Sequence, residues 1–364
     1  MKKNLNILHL ESSPGWGGQE MRILKESLGM KGLGHKVIMA VEKGGGLVKQ
    51  AREKGFLVYE IKFKKIFWFV SFFKILYIMK KHSIDIANTH SSSDSWLGGI
   101  SARILGINII RTRHLSTPIK KGLNSKLLFG LLTDFVVTTC KEVVDVIISQ
   151  AKKDFNKCKS IPTGVDYDQI KVDSLKTRNF RKSFGIENKD FLIGCVCFMR
   201  SWKGIDDFIN AAKILENEKD IKFIIIGGGH KEKYIQMAED LKLKNIIFTG
   251  HLEDPYNAIN ALDVFVLLST AHEGVSQASL QAAYLKKPLI CTSTGGLKEI
   301  CIHDLTGKIV PLFSPENVSQ EILNLKNDEK LRSTLSKNAF DLSLNFSSKN
   351  MIRQMNEIYE SLTK

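Results

Sequence analysis

The chain lacks most features that would place it in a specialised structural class. Its six cysteines form no CxxC pair, so neither a disulfide framework nor a zinc site is predicted, and free thiols in a reducing cytoplasm are expected. The longest apolar run, 66–79, is interrupted by Lys74 and is shorter than the roughly 20 residues that cross a bilayer. The stretch 1–13 has a short apolar core that ends at Glu11, which predicts a first strand and not a signal peptide.

Repeats and low-complexity tracts are missing as well. The hydrophobic fraction of 43% and the charged fraction of 25% are ordinary for a soluble globular protein. Because 364 residues exceed the usual size of one hydrophobic core, we expect two domains.

Acidic residues are scarce relative to basic ones, 38 against 53, which gives a net charge of +15. Such a surface attracts nucleic acid, anionic lipid and phosphorylated substrates alike. The sequence has no zinc-finger spacing and no aromatic RNA-binding strand pattern. A basic nucleic-acid-binding protein is therefore an alternative supported by charge alone, and we expect no nucleic-acid partner.

Apolar segments alternate with helical patterns along the chain, which predicts βαβ units, parallel sheets and helices on both sheet faces. The first helix, 19–30, has Met21, Leu24 and Leu28 on one stripe. Strands are predicted at 5–10, 36–41, 57–61, 84–89, 107–112 and 135–139, and then at 191–198, 222–226, 246–248, 264–268 and 288–291.

Turn-forming residues at 161–166 indicate a hinge between two Rossmann-like domains, 1–163 and 164–345. The amphipathic final helix, about 346–364, is expected to pack back on the first domain. Open α/β sheets bind ligands beyond the carboxyl ends of their strands, so in a two-domain protein those ends would frame one cleft.

The loop after the predicted strand 264–268 contains Glu273 and leads into a helix. Free N–H groups near 275–277 could hold an anion there, which would leave Glu273 to accept hydrogen bonds from hydroxyl groups. Arg200 and Lys203, three apart at a predicted helix start, could converge on one anion. Further glycine-rich or polar loops follow other strands, at 227–230 and 249–255. As a set, these loops are hard to explain as plain turns.

Six short motifs occur in a fixed order over nearly the whole chain: GWGGQE at 15–20, PTGVD at 162–166, RSWKG at 200–204, GGG at 227–229, TGHLEDP at 249–255 and EGVSQASLQ at 273–281. With these motifs the chain resembles the GT-B glycosyltransferases of the large retaining family 4. The resemblance implies an α/β GT-B fold, with two facing Rossmann-like domains and a cleft between them. It also implies retaining transfer of a sugar from a nucleotide-diphosphate sugar to an acceptor hydroxyl, in bacterial cell-surface polysaccharide, lipopolysaccharide or glycolipid synthesis.

The resemblance assigns roles to individual residues. It implies that Arg200 and Lys203 neutralise the diphosphate, that Glu273 binds donor-sugar hydroxyls, and that His114 lies near the donor sugar. These four are the expected catalytic residues. The implied donor-binding set is Gly17, Gly18, Arg200, Lys203, Gly228, His251, Leu252, Glu273, Gly274, Val275, Ser276, Gln277 and Gln281.

One position departs from the family pattern. The second acid of the family's signature, eight residues after Glu273, is Gln281 here. In the family this position contacts the ribose hydroxyls, and a glutamine can make those hydrogen bonds only without charge assistance. The donor nucleotide therefore stays open, as does the alternative of a sugar-nucleotide epimerase, which would share the fold but need no acceptor.

Asp166 and Asp168 form an Asp-x-Asp pair that could suggest a divalent metal. They follow Pro-Thr-Gly-Val at the predicted hinge, where aspartate more often caps a turn. We expect no metal and no cofactor besides the nucleotide sugar, which is a substrate.

The stretch 62–82 places aromatic residues between flanking lysines. One interpretation, slightly favoured, is an ordinary amphipathic helix that covers the sheet. The other is a contact with an anionic membrane surface. Because the resemblance often implies saccharide or lipid-linked acceptors, we hypothesise a cytoplasmic enzyme held peripherally at the inner face of the cytoplasmic membrane. Loops at Trp16, 91–95 and 112–118 are expected to shape acceptor choice.

Overall fold

The computed structural model describes residues 4–114, 119 and 121–363. The chain divides into two compact units, one formed by 1–163 with 348–364 and the other by 164–347. Each unit contains one sheet whose neighbouring strands are parallel, with helices around it. None of the helices in the described part of the chain is long and apolar enough to cross a membrane.

The first unit contains a seven-stranded sheet in the order β3-β2-β1-β4-β5-β6-β7. The chain order reverses between β1 and β4, which makes their carboxyl ends a topological switch point. The strands are β1 (Asn6–Glu11), β2 (Lys36–Glu42), β3 (Leu57–Ile61), β4 (Ile86–Thr89), β5 (Asn108–Arg113), β6 (Phe135–Thr138) and β7 (Cys158–Ser160).

Helices cover both faces of this sheet, because alternate residues of its strands are apolar on each side. Ile7 of β1 belongs to one buried cluster, whereas Leu8 and Leu10 belong to another. The helices are α1 (Gly18–Gly32), α2 (Gly46–Glu53), α3 (Trp68–Lys81), α4 (Ser92–Leu105), α5 (Leu123–Lys126), which continues as a π-helical turn Leu127–Leu131, and α6 (Lys141–Ala151).

The stripe predicted for α1 is wrong at two of its three residues. Leu24 is buried, but Met21 and Leu28 are 50% and 38% exposed. The buried face instead includes Arg22, whose Nη1 donates to the carbonyl of Ile161 at 2.6 Å, and Glu26. Hydrophobic periodicity misplaces the stripe because these polar side chains are buried with partners from distant parts of the sequence.

The second unit contains a six-stranded sheet in the order β10-β9-β8-β11-β12-β13. The strands are β8 (Phe191–Val196), β9 (Ile221–Ile226), β10 (Ile246–Gly250), β11 (Val264–Leu267), β12 (Leu289–Thr292) and β13 (Gly307–Val310). The helices are α7 (Ser174–Ser183), α8 (Ile205–Ile214), α9 (Lys231–Asp240), α10 (Tyr256–Asn260), α11 (Gln277–Tyr284), α12 (Pro315–Asn327) and α13 (Glu329–Ser343).

The last helix, α14 (Ser348–Leu362), belongs to the first unit. Met351, Met355, Ile358 and Tyr359 lie on one face and enter the same buried cluster as Ile7. This helix therefore completes a core whose other parts come from the beginning of the chain.

Candidate active site

In the second unit, the loops after β8 and β11 are joined by a buried ion pair. Lys203 Nζ donates to Glu273 Oε1, with 19% and 7% of the two side chains exposed. The hydroxyl of Ser269 donates to the same oxygen at 2.7 Å. A carboxylate this deeply buried needs such partners, so the position of Glu273 depends on Lys203.

Two glycines outside the predicted site hold the Glu273 loop in place. Gly295 has a φ of +54°, and a Cβ there would lie 2.0 Å from the carbonyl oxygen of Glu273. A Cβ on Gly296 would lie 2.4 Å from the backbone nitrogen of Val275. The Gly296 N–H also donates to the Glu273 carbonyl at 3.1 Å. Only glycine allows this close approach.

The loop after β8 is fixed against the same region by backbone contacts. The Thr270 N–H donates to the Trp202 carbonyl at 2.8 Å. Gly204 has a φ of +67°, and a Cβ there would lie 2.0 Å from the Leu268 carbonyl oxygen. The turn that carries Lys203 and the loop that carries Glu273 are therefore positioned by the backbone as well as by their side chains.

The helix that follows Glu273 begins as predicted in a polar turn. Ser276 is the N-cap of α11, and its hydroxyl accepts from the Ser279 N–H at 3.2 Å. Gly274 and Gln277 are half-buried on either side of this cap, and Gln281 lies on the next turn, also half-buried. The arrangement places the N–H groups of the first helical turn beside the Glu273 loop, where an anion could be bound.

Arg200 has different neighbours from Lys203. Its guanidinium lies 5.2 Å from the ring centres of both Phe198 and Trp202, whereas Lys203 is paired with Glu273. Convergence of the two cations on one anion stays a prediction. Arg200 also lines a cavity of about 390 Å³ together with Phe198, Ser201, Trp202, His230, Lys233 and Tyr234.

Other predicted donor-binding residues lie at the ends of neighbouring strands. Gly228 follows β9, and its carbonyl accepts from the Met199 N–H at 2.7 Å. A Cβ on Gly228 would lie 3.7 Å from Cβ of His251, which follows β10 and is exposed. Leu252 is half-buried beside it in sequence. The second unit thus brings the predicted loops together at the carboxyl ends of adjacent strands.

In the first unit, Gly17 and Gly18 form the start of α1. The Gly17 N–H donates to Glu20 Oε2 at 2.8 Å, and Glu20 Oε1 accepts from the Ser13 hydroxyl at 2.7 Å. A Cβ on Gly18 would meet nothing within 4 Å. The packing of the chain does not require glycine at Gly18, so close approach of a substrate stays its predicted purpose.

A buried pair of carboxyl groups lies beneath this loop. Glu11 Oε1 accepts from the Ser13 N–H at 2.6 Å and from the Ser91 hydroxyl at 2.7 Å. Asp94 accepts from the His90 N–H at 2.7 Å. Burial, together with the nearby Asp94, raises the pKa of Glu11 to about 8. The pair therefore holds a proton near neutral pH.

His114, the histidine assigned a role by the resemblance, follows β5 and is half-buried. Its Nε2 lies 3.0 Å from Nδ1 of His90, and His90 Nε2 lies 2.9 Å from Nδ1 of His9. Burial lowers the pKa of His9 and lowers the pKa of His90 and of His114 well below the ordinary value. The three rings are thus neutral near pH 7.

The remaining predicted positions are spread over both units. Asp166 and Asp168 lie at a short 3-10 turn, Tyr167–Gln169. Within the described residues, no group of three or more His, Cys, Asp and Glu side chains could hold a metal ion. Of the predicted acceptor loops, Trp16 is 45% exposed, while 115–118 lie outside the described residues.

Two family matches divide the chain between them. Residues 16–169 match Glycosyltransferase Family 4, and residues 176–341 match Glycosyl transferases group 1. The chain belongs to the family 4, group 1 glycosyltransferases. Two solved structures have its GT-B fold: a glycosyltransferase from Rickettsia africae (TM-score 0.91, 22% identity, 100% of both chains) and Anabaena HepE in complex with UDP (TM-score 0.86, 18% identity, 98% of this chain and 100% of that one).

Curated relatives of this glycosyltransferase cover most of its length. The capsular polysaccharide biosynthesis glycosyltransferase CapM of Staphylococcus aureus is 27% identical over 312 residues, which are 81% of each chain. The UDP-Gal:alpha-D-GlcNAc-diphosphoundecaprenol alpha-1,3-galactosyltransferase of Escherichia coli is 28% identical over 284 residues, 74% of this chain and 72% of that one.

Several residues that shape the glycosyltransferase site were missed from the sequence. Gly295 and Gly296 are two adjacent glycines that follow a predicted strand, and this pattern could have identified them. His9 and His90 are isolated in the sequence, and only the pairing of β1 with β4 brings them together. Ser269 gave no signal beyond its place at the end of an apolar run.

Proposed function

We propose that this glycosyltransferase moves a sugar from a nucleotide-diphosphate sugar to an acceptor hydroxyl with retention at the anomeric carbon. The observation that carries the proposal is the Lys203–Glu273 pair, buried beside the start of α11. A cation, a carboxylate and helix N–H groups in one place suit a ligand that has both phosphate and hydroxyl groups.

In this proposal the second unit binds the donor. Negative charge grows on the departing diphosphate, and Lys203, Arg200 and the first-turn N–H groups of α11 stabilise it. Glu273 accepts hydrogen bonds from sugar hydroxyls. We propose UDP as the carrier, which is supported by the UDP in the HepE structure and by the UDP-Gal in the name of the E. coli relative. Gln281 would bind the ribose hydroxyls through its neutral amide.

A screen of nucleotides by thermal shift tests the donor. The purified chain is heated with UDP, ADP, GDP and their sugar derivatives, with and without magnesium, because a ligand that binds only the folded state raises the unfolding midpoint. We expect a shift with UDP and a larger one with a UDP-sugar, both independent of magnesium. Glu273→Gln should lose only the increment from the sugar. If no diphosphate shifts the midpoint, the donor proposal is wrong.

The stereochemistry of transfer needs a separate measurement. With the donor from the screen and saccharide or lipid-linked acceptors, the anomeric proton coupling of the product is compared with that of the donor by NMR. The same anomer is expected in both. An inverted product contradicts retention, and release of free nucleotide and sugar without an acceptor supports the epimerase alternative.

We also propose a lipid-linked acceptor at an anionic membrane surface, in the synthesis of cell-surface polysaccharide or glycolipid. The inner face of α3 packs on the sheet through Ile75, Ile78 and Met79. The outer face exposes Phe69 to 75% and Phe73 to 52%. The interpretation of 62–82 as a helix that covers the sheet agrees with the inner face of α3, and we propose that the outer face contacts the membrane.

Charge and shape around α3 support a membrane surface over an ordinary solvent-exposed face. The stretch 62–82 contains six lysines and no acidic residue. Beside it, α3 and α4 line an open surface pocket of about 510 Å³, formed by Leu76, Tyr77, Lys80, Lys81, Ile104 and Leu105. Exposed rings at headgroup level with lysines around them suit anionic lipid. The names of relatives that act on diphosphoundecaprenol-linked sugars support the same acceptor class.

Sedimentation with vesicles tests the membrane contact. Vesicles of phosphatidylcholine with phosphatidylglycerol should bind the chain, and vesicles of phosphatidylcholine alone should bind it weakly. Changing Lys64, Lys65, Lys80 and Lys81 to Glu should abolish binding. The matched control changes the exposed Lys219, Lys242, Lys244 and Lys337 of the second unit to Glu; equal losses in the two variants would mean that net charge, and not this surface, binds lipid.

A further inference from the structure

The three histidines of the first unit form a continuous hydrogen-bonded chain. His9 lies on β1, His90 follows β4 and His114 follows β5, so neighbouring strands bring them together. The His9 and His90 ring centres are 5.2 Å apart, their planes differ by 10°, and the facing nitrogens are 2.9 Å apart. Because the ring centres are farther apart than the nitrogens, the two nitrogens lie between the rings. The nearly parallel planes then place the hydrogen bond close to the plane of both rings.

Each of these contacts can hold only one hydrogen. The second contact joins His90 Nδ1 to His114 Nε2 at 3.0 Å, with ring centres 5.2 Å apart. A neutral imidazole carries one N–H and one bare nitrogen. Two bare nitrogens, or two N–H groups, facing each other at this distance would be unfavourable. The three rings must therefore be the same tautomer, with the hydrogen either on Nδ1 in all three or on Nε2 in all three.

The surroundings of His9 Nε2, at the end of the row of three histidines, decide between these two tautomers. His9 Nε2 is buried and has no hydrogen-bond partner among the described residues. The charged group acting on this ring is Glu26, yet neither of its oxygens forms a hydrogen bond with His9: Oε1 accepts from Tyr359 at 2.7 Å, and Oε2, which has no hydrogen-bond partner among the described residues, lies 4.0 Å from Arg22 Nε. A hydrogen on His9 Nε2 would be a buried donor without an acceptor, which is rarer in proteins than an unused acceptor.

We propose that His9 and His90 are positioning residues that hold His114 in the Nδ1–H tautomer, so that His114 acts on substrate as a hydrogen-bond donor. Each ring then donates from Nδ1 to the Nε2 of the next. Nδ1 of His114 has no partner among the described residues, and the side chain is only half-buried. The inference rests on the proposed function, together with the expectation from the family resemblance that His114 lies near the donor sugar.

The tautomer can be measured without any activity. The full chain is labelled with ¹⁵N-histidine, and multiple-bond ¹H–¹⁵N correlations are recorded at pH 7. The nine histidines are assigned for this purpose with His90→Gln and His114→Gln. We expect protonated Nδ1 and bare Nε2 at His9, His90 and His114. A protonated Nε2 at His114 overturns the inference and leaves the proposed function untouched.

The positioning role is tested with a conservative pair of variants. In His90→Gln, the side-chain carbonyl can accept from His9 and the amide can donate to His114, whereas His90→Leu can do neither. We expect His90→Leu to lower kcat roughly tenfold or more through misorientation of His114, and His90→Gln to recover most of that loss. Equal activity in wild type and both variants overturns the role.

A second variant guards against a folding failure in His90→Leu. His9→Met removes the first donor of the chain but lies two rings away from His114. The labelled His9→Met protein should show a mixture of His114 tautomers and a lower kcat. The kcat of His114→Ala is the lowest value expected for either variant. If His114→Ala is fully active, His114 does not act on substrate, and the positioning role is overturned while the transferase proposal stands.

Discussion

Glu11 shows how one buried carboxyl group can make the stability of the first unit depend on pH. Its pKa is raised to about 8 by burial and by Asp94, above the ordinary value, so the folded state binds the proton more tightly than the unfolded state. This stabilisation is complete below the unfolded pKa and is lost as the pH rises towards 8.

We therefore expect the free energy of unfolding to fall between pH 5 and pH 8 by on the order of 1–3 kcal/mol from this group. Glu11→Gln should flatten that slope, whatever its absolute stability. Urea unfolding at several pH values measures both. Glu53→Gln, at an exposed position, is the control and should keep the wild-type slope; an unchanged slope in Glu11→Gln would contradict the assignment.

At Lys203 and Glu273 we expect strong energetic coupling. Lys203→Met leaves a carboxylate that is 7% exposed without its cation and should cost about 3 kcal/mol. Glu273→Gln should cost less, because Lys203 can turn towards solvent. The double variant should then be clearly more stable than the sum of the two losses predicts. Additive losses in urea unfolding would mean that the pair contributes little.

Individual histidines and buried polar residues mark the limit of prediction from the sequence. Glu273, Lys203 and Gly228 could be placed because each follows an apolar run that predicts a strand. His9 and His90 could not, since a lone histidine gives no periodic signal and its partners lie 81 and 24 residues away. Arg22 and Glu26 were missed because an apolar stripe cannot show which polar residues find partners.

Among the elements, the loop after β12 and the start of α1 contain two contrasting kinds of glycine. Gly296 faces the backbone of Val275, which cannot move aside, whereas Gly18 has open space around the position of a Cβ. We expect Gly296→Ala to lower the free energy of unfolding by about 1–3 kcal/mol and Gly18→Ala to leave it within about 0.5 kcal/mol.

Measurements of activity test the role of Gly18 separately from stability. Gly18→Ala should weaken turnover without loss of stability if a substrate approaches the backbone there. Urea midpoints and kcat/KM, measured on the same preparations, make the comparison. A stable and fully active Gly18→Ala would remove Gly18 from the predicted donor-binding set.

Prediction of strands succeeded where their residues are apolar and failed at two edge strands that contain polar residues. β9 is almost entirely isoleucine and phenylalanine, which marks a strand buried on both faces. β7 has three residues, Cys-Lys-Ser, and β13 begins with Gly-Lys. Both are edge strands whose pairing depends on a neighbour and not on their own composition.

For the whole molecule, we expect each of the two units to have its own stability against local unfolding. The Tyr359 hydroxyl donates to Glu26 at 2.7 Å in the first unit, and the Tyr167 hydroxyl donates to the Ser343 carbonyl at 2.7 Å in the second. We expect Tyr359→Phe to speed amide hydrogen exchange in β1 and β4, and Tyr167→Phe to speed it in β8 and β11. Each loss should be about 1–3 kcal/mol. Equal acceleration in both sheets by either variant would contradict independent cores.

The return of α14 to the first unit has a consequence for synthesis on the ribosome. The second unit, 164–347, has all its residues once position 347 has emerged, but the first unit still lacks Met351, Met355 and Tyr359 of its core. At roughly 5–20 residues per second, translation of the intervening segment takes on the order of tens of seconds. Throughout that interval the nascent first unit exposes apolar surface that α14 will later cover, so the part of the chain made first is the part that can finish folding last.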